Sequence, residues 1–256
     1  MSDEEAAPHG LTILEHLDEL RVRLVWAAAG LMVAVLISFS FTQQLLDILI
    51  EPYGELLQTL SPTEGIQTYF RVALVAGVTL AMPWMLYQLW LFISPGLHQN
   101  EKRYVYIFIP AATILFLLGV AFAWFILLPS AINFLADFMS DIFSAEWTSQ
   151  EYIGFATSFL LYMGISFQLP LIVYFMARFG IIDSRALRVH WRIAIVAIAV
   201  IAAVVTPSID PVTMLLTMLP LTLLYILSIF LASLGYRQFL KSVALDEEVV
   251  DTDVAN

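Results

Sequence analysis

The sequence contains no cysteine, and only 13% of its 256 residues are charged. Without cysteine the chain forms no disulfide bond and offers no thiolate to a metal ion or to redox chemistry. Its four histidines lie outside the long apolar runs, so no nucleophile–base pair or ligand set is available within a membrane span. The sequence therefore predicts no enzymatic activity, no metal and no cofactor, and its net charge of −11 gives no reason to expect a nucleic-acid partner.

Apolar residues make up 61% of the chain, well above the proportion in soluble domains. A helix needs about 20 apolar residues to cross the hydrocarbon core of a bilayer, and five runs reach that length while a sixth, 193–205, is shorter. Barrel strands would alternate polar and apolar residues, which these runs do not. We predict an all-α membrane protein with six spans at 24–41, 72–93, 104–128, 153–177, 193–205 and 212–234.

The positions of the basic residues predict the orientation of the spans. Ten of the eleven Lys and Arg residues lie before the first span, between alternate pairs of spans, or after the last one, and Arg71 is the exception. Basic residues near span ends favour the cytoplasmic side. This alternation requires 193–205 to cross the membrane, and it places both termini in the cytoplasm. The ten residues are Arg21, Arg23, Lys102, Arg103, Arg178, Arg185, Arg188, Arg192, Arg237 and Lys241.

The loops between the spans are too short for a separate soluble domain, so residues 1–256 are predicted to form one membrane domain. The polar tails 1–12 and 243–256 lack periodic apolar faces and are expected to be disordered. Apolar residues at 45–50 predict a short amphipathic helix on the membrane surface. Prolines in or beside four spans predict bent helices and a concave bundle. They are Pro83, Pro110, Pro170 and Pro220.

The segment before the first span has the pattern of an amphipathic helix. Glu15, Asp18 and Glu19 share one face through spacings of three and four residues, and Arg23 follows Glu19 by one turn. On the pattern alone, Glu19 supports Arg23, and Arg21 with Arg23 only fixes the orientation. A binding role for these carboxylates is the alternative.

The loop after the second span begins with a break at Pro95 and Gly96, and Glu101 leads into the third span. A carboxylate favours the start of a helix, so helix capping is the simplest explanation of Glu101. Gln88 and Gln168 lie inside spans, where an amide needs a hydrogen-bond partner. Gln88 is equally well explained as a tie between helices.

Several motifs, taken in order, resemble the TatC family, the signal-receptor subunit of the twin-arginine protein translocase. The resemblance covers nearly the whole chain, and its strength lies in the combination of motifs. They are HLDELRVR at 16–23, YQLWLFISPGL at 87–97, EKR at 101–103, GVAFA at 119–123, GISFQLP at 164–170, and Thr206-Pro207 with Asp210.

The resemblance implies a receptor that binds the signal peptides of folded cargo proteins, each bearing two consecutive arginines. Carried onto this sequence, the carboxylate acceptors are Glu19 and Glu101. A carboxylate matches the planar fork of a guanidinium better than it matches a lysine ammonium group. Phe92, Pro95 and Leu97 would form an apolar wall of the site or serve as interface packing. Arg21, Lys102 and Arg103 complete the expected binding residues.

The resemblance also implies partners and a location. We expect single-span TatA-type and TatB-type subunits, several copies of this chain in the complex, transport driven by the proton-motive force, and the cytoplasmic (inner) membrane of a bacterium or archaeon. Gln168 stands where many family members have glutamate, so it offers a partner an uncharged hydrogen bond. Asp210 matches an acid associated with assembly or signal insertion, and a turn-forming role is equally consistent with its position.

The competing hypothesis is a secondary transporter for a small solute or ion. Such a protein is expected to carry ionisable residues near the middle of the bilayer. The predicted spans nearly lack them, and Arg71 lies close to the outer interface. The concentration of polar residues at the inner face therefore favours a receptor and assembly scaffold.

Overall fold

The computed structural model describes residues 13–54, 56–93, 102–138, 146–205 and 211–254, and these residues are predominantly helical. The all-α class predicted from the apolar runs is confirmed. In chain order, the α-helices of the described ranges are α1 (Ile13–Ser38), α2 (Thr42–Ile50), α3 (Glu64–Ile93), α4 (Lys102–Phe122), α5 (Leu128–Asp137), α6 (Ser149–Ser166), α7 (Leu169–Arg178), α8 (Ser184–Val189), α9 (Trp191–Val205) and α10 (Pro211–Val254).

Five helical stretches are long and apolar enough to cross a membrane, and α9 is a shorter apolar helix. At 1.5 Å per residue, the 15 residues of α9 extend about 22 Å, less than a typical hydrocarbon core. Each of the six predicted spans therefore coincides with apolar helical structure, the fourth in two helices, while the cytoplasmic location of the termini stays a prediction. The five long stretches are Glu15–Ile50, Glu64–Phe92, Phe108–Asp137, Ser149–Arg178 and Pro211–Lys241.

The described chain divides into two compact units between Ile114 and Leu115. The first unit contains α1, α2, α3 and the first part of α4, and the second contains the remaining helices. The prediction of a single domain is untested by this division and stays a prediction.

In the first unit, α1 and α3 pack against each other in opposite directions. The indole Nε1 of Trp84 donates a hydrogen bond to the Trp26 carbonyl oxygen at 2.8 Å. Towards the other end of the pair, the buried Ser38 hydroxyl lies 2.5 Å from the Ala73 carbonyl oxygen. These side-chain contacts matter because lipid tails are as apolar as the helices, and apolar burial alone does not hold two spans together.

Two prolines coincide with irregular turns in the second unit. Pro129, near the start of α5, follows a π-helical turn at Ala123–Leu127. A proline has no amide hydrogen and crowds the carbonyl four residues earlier, and a wider turn relieves that crowding. Pro170 lies at the start of α7, where the predicted fourth span breaks into α6 and α7. The sequence predicts the irregularity at Pro170 and misses the one before Pro129.

Helix α10 organises the second unit by packing against α7, α8 and α9. Gly235 of α10 approaches the Tyr174 carbonyl of α7 so closely that a methyl group there would come within 2.6 Å of the oxygen. The Tyr225 hydroxyl donates a hydrogen bond to the Leu187 carbonyl oxygen of α8 at 2.6 Å. Ile198 and Leu224 belong to a buried apolar cluster between α9 and α10.

The end of α10 differs from the prediction of a disordered tail at 243–256. The structure continues the helix to Val254. Residues 242–250 include alanine, leucine and glutamate, which have high helix propensity, and no proline or glycine. Propagating an existing helix is also far easier than nucleating a new one. The other predicted disordered tail, 1–12, lies outside the described residues.

Candidate functional site

The first part of the candidate site is an ion pair on α1. The guanidinium Nη2 of Arg23 lies 3.3 Å from Oε1 of Glu19, and the two side chains are 29% and 20% exposed. This confirms the contact indicated by the spacing of four residues. Such helical pairs contribute only about 0.3–0.5 kcal/mol when solvated. The Glu19 carboxylate is therefore partly exposed, and its interaction with Arg23 is weak.

The second part is the junction between the start of α1 and the end of α3. The His16 and Phe92 rings stack with centroids 4.5 Å apart and an interplanar angle of 24°. Because His16 lies one turn before Glu19, this contact brings Phe92 to the same end of the helix pair as the carboxylate. The structure thus brings together two of the predicted site residues, Glu19 and Phe92.

Between α1 and α3 lies a cavity of about 300 Å³. Most of its lining side chains are apolar, and the polar ones are Arg23 from α1 and Gln88 from α3. Phe92 lies at one end of the lining. The cavity therefore joins two predicted residues, Phe92 and Gln88, with Arg23, to which the sequence assigned only pairing with Glu19 and the orientation of the first span. The full lining is Leu20, Arg23, Leu24, Ala27, Met82, Met85, Leu86, Gln88, Leu89 and Phe92.

The two span glutamines lie in different units. Gln88 is 4% exposed, and its Oε1 has no hydrogen-bond partner among the described residues. Gln168 is 5% exposed and lies at the break between α6 and α7, where its carbonyl oxygen accepts a hydrogen bond from the Ile172 amide at 3.0 Å. The predicted contact between Gln168 and a single-span partner stays a prediction.

Several predicted site residues fall outside the described part of the chain, namely Pro95, Leu97, Glu101 and Asp210. Lys102 and Arg103 are the first two residues of α4, and only their backbone is described. Arg21 is exposed on α1, two residues before Arg23. The joint action predicted for Glu19 and Glu101 therefore stays a prediction.

Across the described ranges, no three His, Asp or Glu side chains are grouped so that they could hold a metal ion. Arg23 and Gln88 instead bring a guanidinium and an amide group to the wall of an apolar cavity, and the Glu19 carboxylate pairs with Arg23. Such groups can bind a ligand that carries both charge and apolar surface.

Comparison with known proteins gives a match over most of the chain. Residues 15–220 match the family described as Sec-independent protein translocase protein (TatC). A Sec-independent protein translocase protein TatC from Helicobacter pylori (strain J99) is 37% identical over 219 residues, covering 86% of this chain and 88% of the relative. The protein of the same description from Aquifex aeolicus (strain VF5) is 35% identical over 235 residues, covering 89% and 97% of the two chains.

Solved structures are similar as well. A crystal structure described as the twin arginine translocase receptor TatC superposes with a TM-score of 0.79 at 35% sequence identity, covering 86% of this chain and 99% of the other. A second crystal structure of such a receptor, in DDM, gives a TM-score of 0.80 at 36% identity. The similarity therefore extends from the sequence to the fold.

Proposed function

The chain belongs to the TatC family of Sec-independent protein translocases, and from this premise we propose that it binds signal peptides carrying two consecutive arginines. The family resemblance inferred from the motifs is thereby confirmed, as is the assignment to a multi-pass membrane protein of protein transport. Members of this family are translocase components and not enzymes, in agreement with the sequence prediction.

The proposal rests on the pairing, exposure and position of the Glu19 carboxylate. It already accepts a guanidinium hydrogen bond at 3.3 Å, yet it is one-fifth exposed and lies beside Phe92 at one end of the α1–α3 pair. A bidentate pair with an incoming arginine is stronger than a single contact within a helix. An incoming arginine can therefore share or replace Arg23 at little cost.

One carboxylate binds one arginine of the pair, and we assign binding of the second arginine to Glu101. Glu101 directly precedes the first residue of α4, Lys102. Two carboxylates at this end would distinguish an arginine pair from a lysine pair, because an ammonium group cannot make the planar two-point contact. Apolar residues of the signal peptide would pack on Phe92, Pro95 and Leu97, while Arg21, Lys102 and Arg103 would complete the rim.

The wider assembly belongs to the same proposal. We infer that the chain acts in the cytoplasmic membrane with TatA-type and TatB-type single-span subunits and further copies of itself, and that the proton-motive force drives transport. Gln168 and Asp210 remain the candidate residues for partner contact or assembly. Affinity purification in mild detergent, followed by identification of small co-purifying membrane proteins, tests these partners.

The alternative of a small-solute or ion transporter is disfavoured by family membership. The Glu19–Arg23 ion pair points the same way, because it lies near the start of α1 and not at the middle of a span. Transporters typically place interacting ionisable groups at that depth.

Cross-linking of a twin-arginine signal peptide to membranes containing the protein tests the proposal. Replacing Glu19 and Glu101 together by alanine should abolish specific cross-linking, because the guanidinium groups lose both acceptors. The matched control is the double variant Glu51→Ala plus Glu151→Ala, which removes two exposed carboxylates elsewhere. Undiminished cross-linking in the first variant refutes the proposal.

A further inference from the structure

The cavity between α1 and α3 contains an unsatisfied acceptor. The Gln88 side chain is 4% exposed, and its Oε1 finds no donor among the residues that the structure describes. A buried polar atom without a partner typically costs about 1–3 kcal/mol. Such an atom on the wall of a 300 Å³ cavity points to a ligand that supplies the missing donor.

An unsatisfied donor borders the same cavity. Nε of Arg23 is buried and has no acceptor within the described ranges, although Nη2 of the same guanidinium contacts Glu19. The pairing of His16 with Phe92 and of Trp26 with Trp84 shows that α1 and α3 run antiparallel here. Interpolation between these contacts places Arg23 nearly level with Gln88. The headgroup of one ligand can therefore reach both atoms.

The cavity is bordered by exposed apolar side chains of both helices, the kind of surface that a membrane span presents to hydrocarbon. Leu24 and Leu89 line it, one from each helix, and they remain 66% and 50% exposed. The span that includes α1 is also the least covered of the five long ones, with 11% of its most apolar window buried. A molecule diffusing within the membrane can therefore enter from the side.

The size of the cavity favours an acyl chain over a peptide helix. Its volume of about 300 Å³ is at the lower end for ligand pockets. A peptide helix with its side chains is about 10–12 Å wide and is bulkier than a single acyl chain. Met82 and Met85 form part of the wall, and the flexible thioether chain of methionine adapts to an irregular apolar ligand.

We propose that this cavity binds one phospholipid whose headgroup carries a primary ammonium group, as in phosphatidylethanolamine. The acyl chain lies along Leu24, Ala27 and Met85, the phosphate accepts a hydrogen bond from Nε of Arg23, and the ammonium donates one to Oε1 of Gln88.

The acidic residues on α1 near the cavity and the acceptor on Gln88 favour this headgroup in the proposal. Glu15, Asp18 and Glu19 outnumber Arg21 and Arg23 at the start of α1, so a purely anionic lipid would meet net repulsion. A choline headgroup carries no N–H group and cannot satisfy Gln88. The ammonium headgroup supplies a donor and a positive charge together with its phosphate.

Native mass spectrometry of the purified full-length protein, released from nanodiscs of defined lipid, tests the proposal without any signal peptide. The protein should retain one phosphatidylethanolamine and prefer it over phosphatidylcholine by about tenfold, the effect of one hydrogen bond to a charged group. Gln88→Leu should reduce the preference to about one. The matched control on the same helix, Gln67→Leu, removes an exposed amide and should leave the preference unchanged. Equal retention of the two lipids by the unmodified protein overturns the proposal.

A second measurement keeps the test independent of how well Gln88→Leu folds. A phosphatidylethanolamine with a photoreactive acyl chain should label peptides that contain Met82 and Met85 in the unmodified protein. Gln88→Glu keeps an acceptor and should retain the preference for the ammonium headgroup. If a photoreactive signal peptide labels these methionines and the lipid does not, the cavity is a peptide site and the lipid proposal is wrong. Since no peptide is present in the lipid measurements, their failure leaves the receptor function untouched.

Discussion

Gly77 of α3 lies against the backbone of Val35 of α1, and a methyl group added at Gly77 would come within 2.6 Å of the Val35 Cα atom. The obstacle is part of a helix backbone, so it cannot move without displacing α1. Small residues at such crossings let membrane helices approach closely. The antiparallel pair that carries the candidate site therefore depends on the absence of a side chain at this position.

Replacing Gly77 by alanine should destabilise the protein by about 1–3 kcal/mol, the usual cost of overpacking. Thermal unfolding in detergent measures the change. Gly65 is the control on the same helix, because nothing lies within 4 Å of a methyl group added there. Gly65→Ala should be neutral or slightly stabilising, since alanine favours a helix. Equal effects of the two substitutions would contradict the close packing at Gly77.

The Ser38 hydroxyl provides a second test of the α1–α3 contact. This fully buried group lies 2.7 Å from the Val35 carbonyl oxygen and 2.5 Å from the Ala73 carbonyl oxygen. Ser38→Ala should cost about 0.5–1.5 kcal/mol through the loss of a hydrogen bond between helices. The exposed neighbour Ser40 serves as the control, and Ser40→Ala should leave the unfolding temperature unchanged. A null result at Ser38 would show that the hydrogen bond adds nothing to stability.

Comparing substitutions at two glycines with positive φ distinguishes the cost of backbone strain from the cost of overpacking. Gly54 has φ 78° with nothing within 4 Å of an added methyl group, whereas Gly180, with φ 71°, has the Phe239 ring within 2.6 Å. Alanine at either position costs about 1–2 kcal/mol for the left-handed conformation. Gly180→Ala should cost more than Gly54→Ala because it also displaces the ring. Unfolding measurements on Gly180→Ala with Phe239→Leu should recover part of that excess, and no recovery would exclude the ring as its cause.

The ion pair between Arg23 and Glu19 predicts how substitution of Glu19 changes stability and peptide affinity. Glu19→Gln should change the unfolding free energy by no more than about 0.5 kcal/mol, because an ion pair between residues four apart on one helix contributes little. The same substitution should weaken binding of a twin-arginine peptide by about tenfold through the loss of a charge-assisted contact. Thermal unfolding and peptide fluorescence anisotropy measure the two effects on one preparation. A large loss of stability with unchanged peptide affinity would identify Glu19 as a structural residue.

Local features of this chain could be predicted from its sequence, because they depend on neighbours along the helix. The Glu19–Arg23 pair follows from a spacing of four residues, and the break before α7 coincides with Pro170. The apolar runs likewise indicate the helices, because the length required to cross a bilayer is known.

Features that depend on contacts between helices could not be predicted. The cavity requires Arg23 and Gln88 to lie nearly level on two antiparallel helices, and no spacing along the chain indicates that register. The π-helical turn before Pro129 is a response to local crowding for which α-helical periodicity gives no sign. Hydropathy also fails to predict the continuation of α10 to Val254, because this segment is polar yet rich in helix-forming residues.

A double-mutant cycle between the receptor and the signal peptide tests the central claim most directly. Affinities of the Arg-Arg and Lys-Lys forms of one peptide would be measured for the unmodified protein and for Glu19→Gln, with Glu51→Gln as the control. The account predicts a coupling of at least about 1 kcal/mol between the peptide substitution and Glu19→Gln, and none with Glu51→Gln. Additive effects at Glu19, with the arginine preference intact, would contradict it.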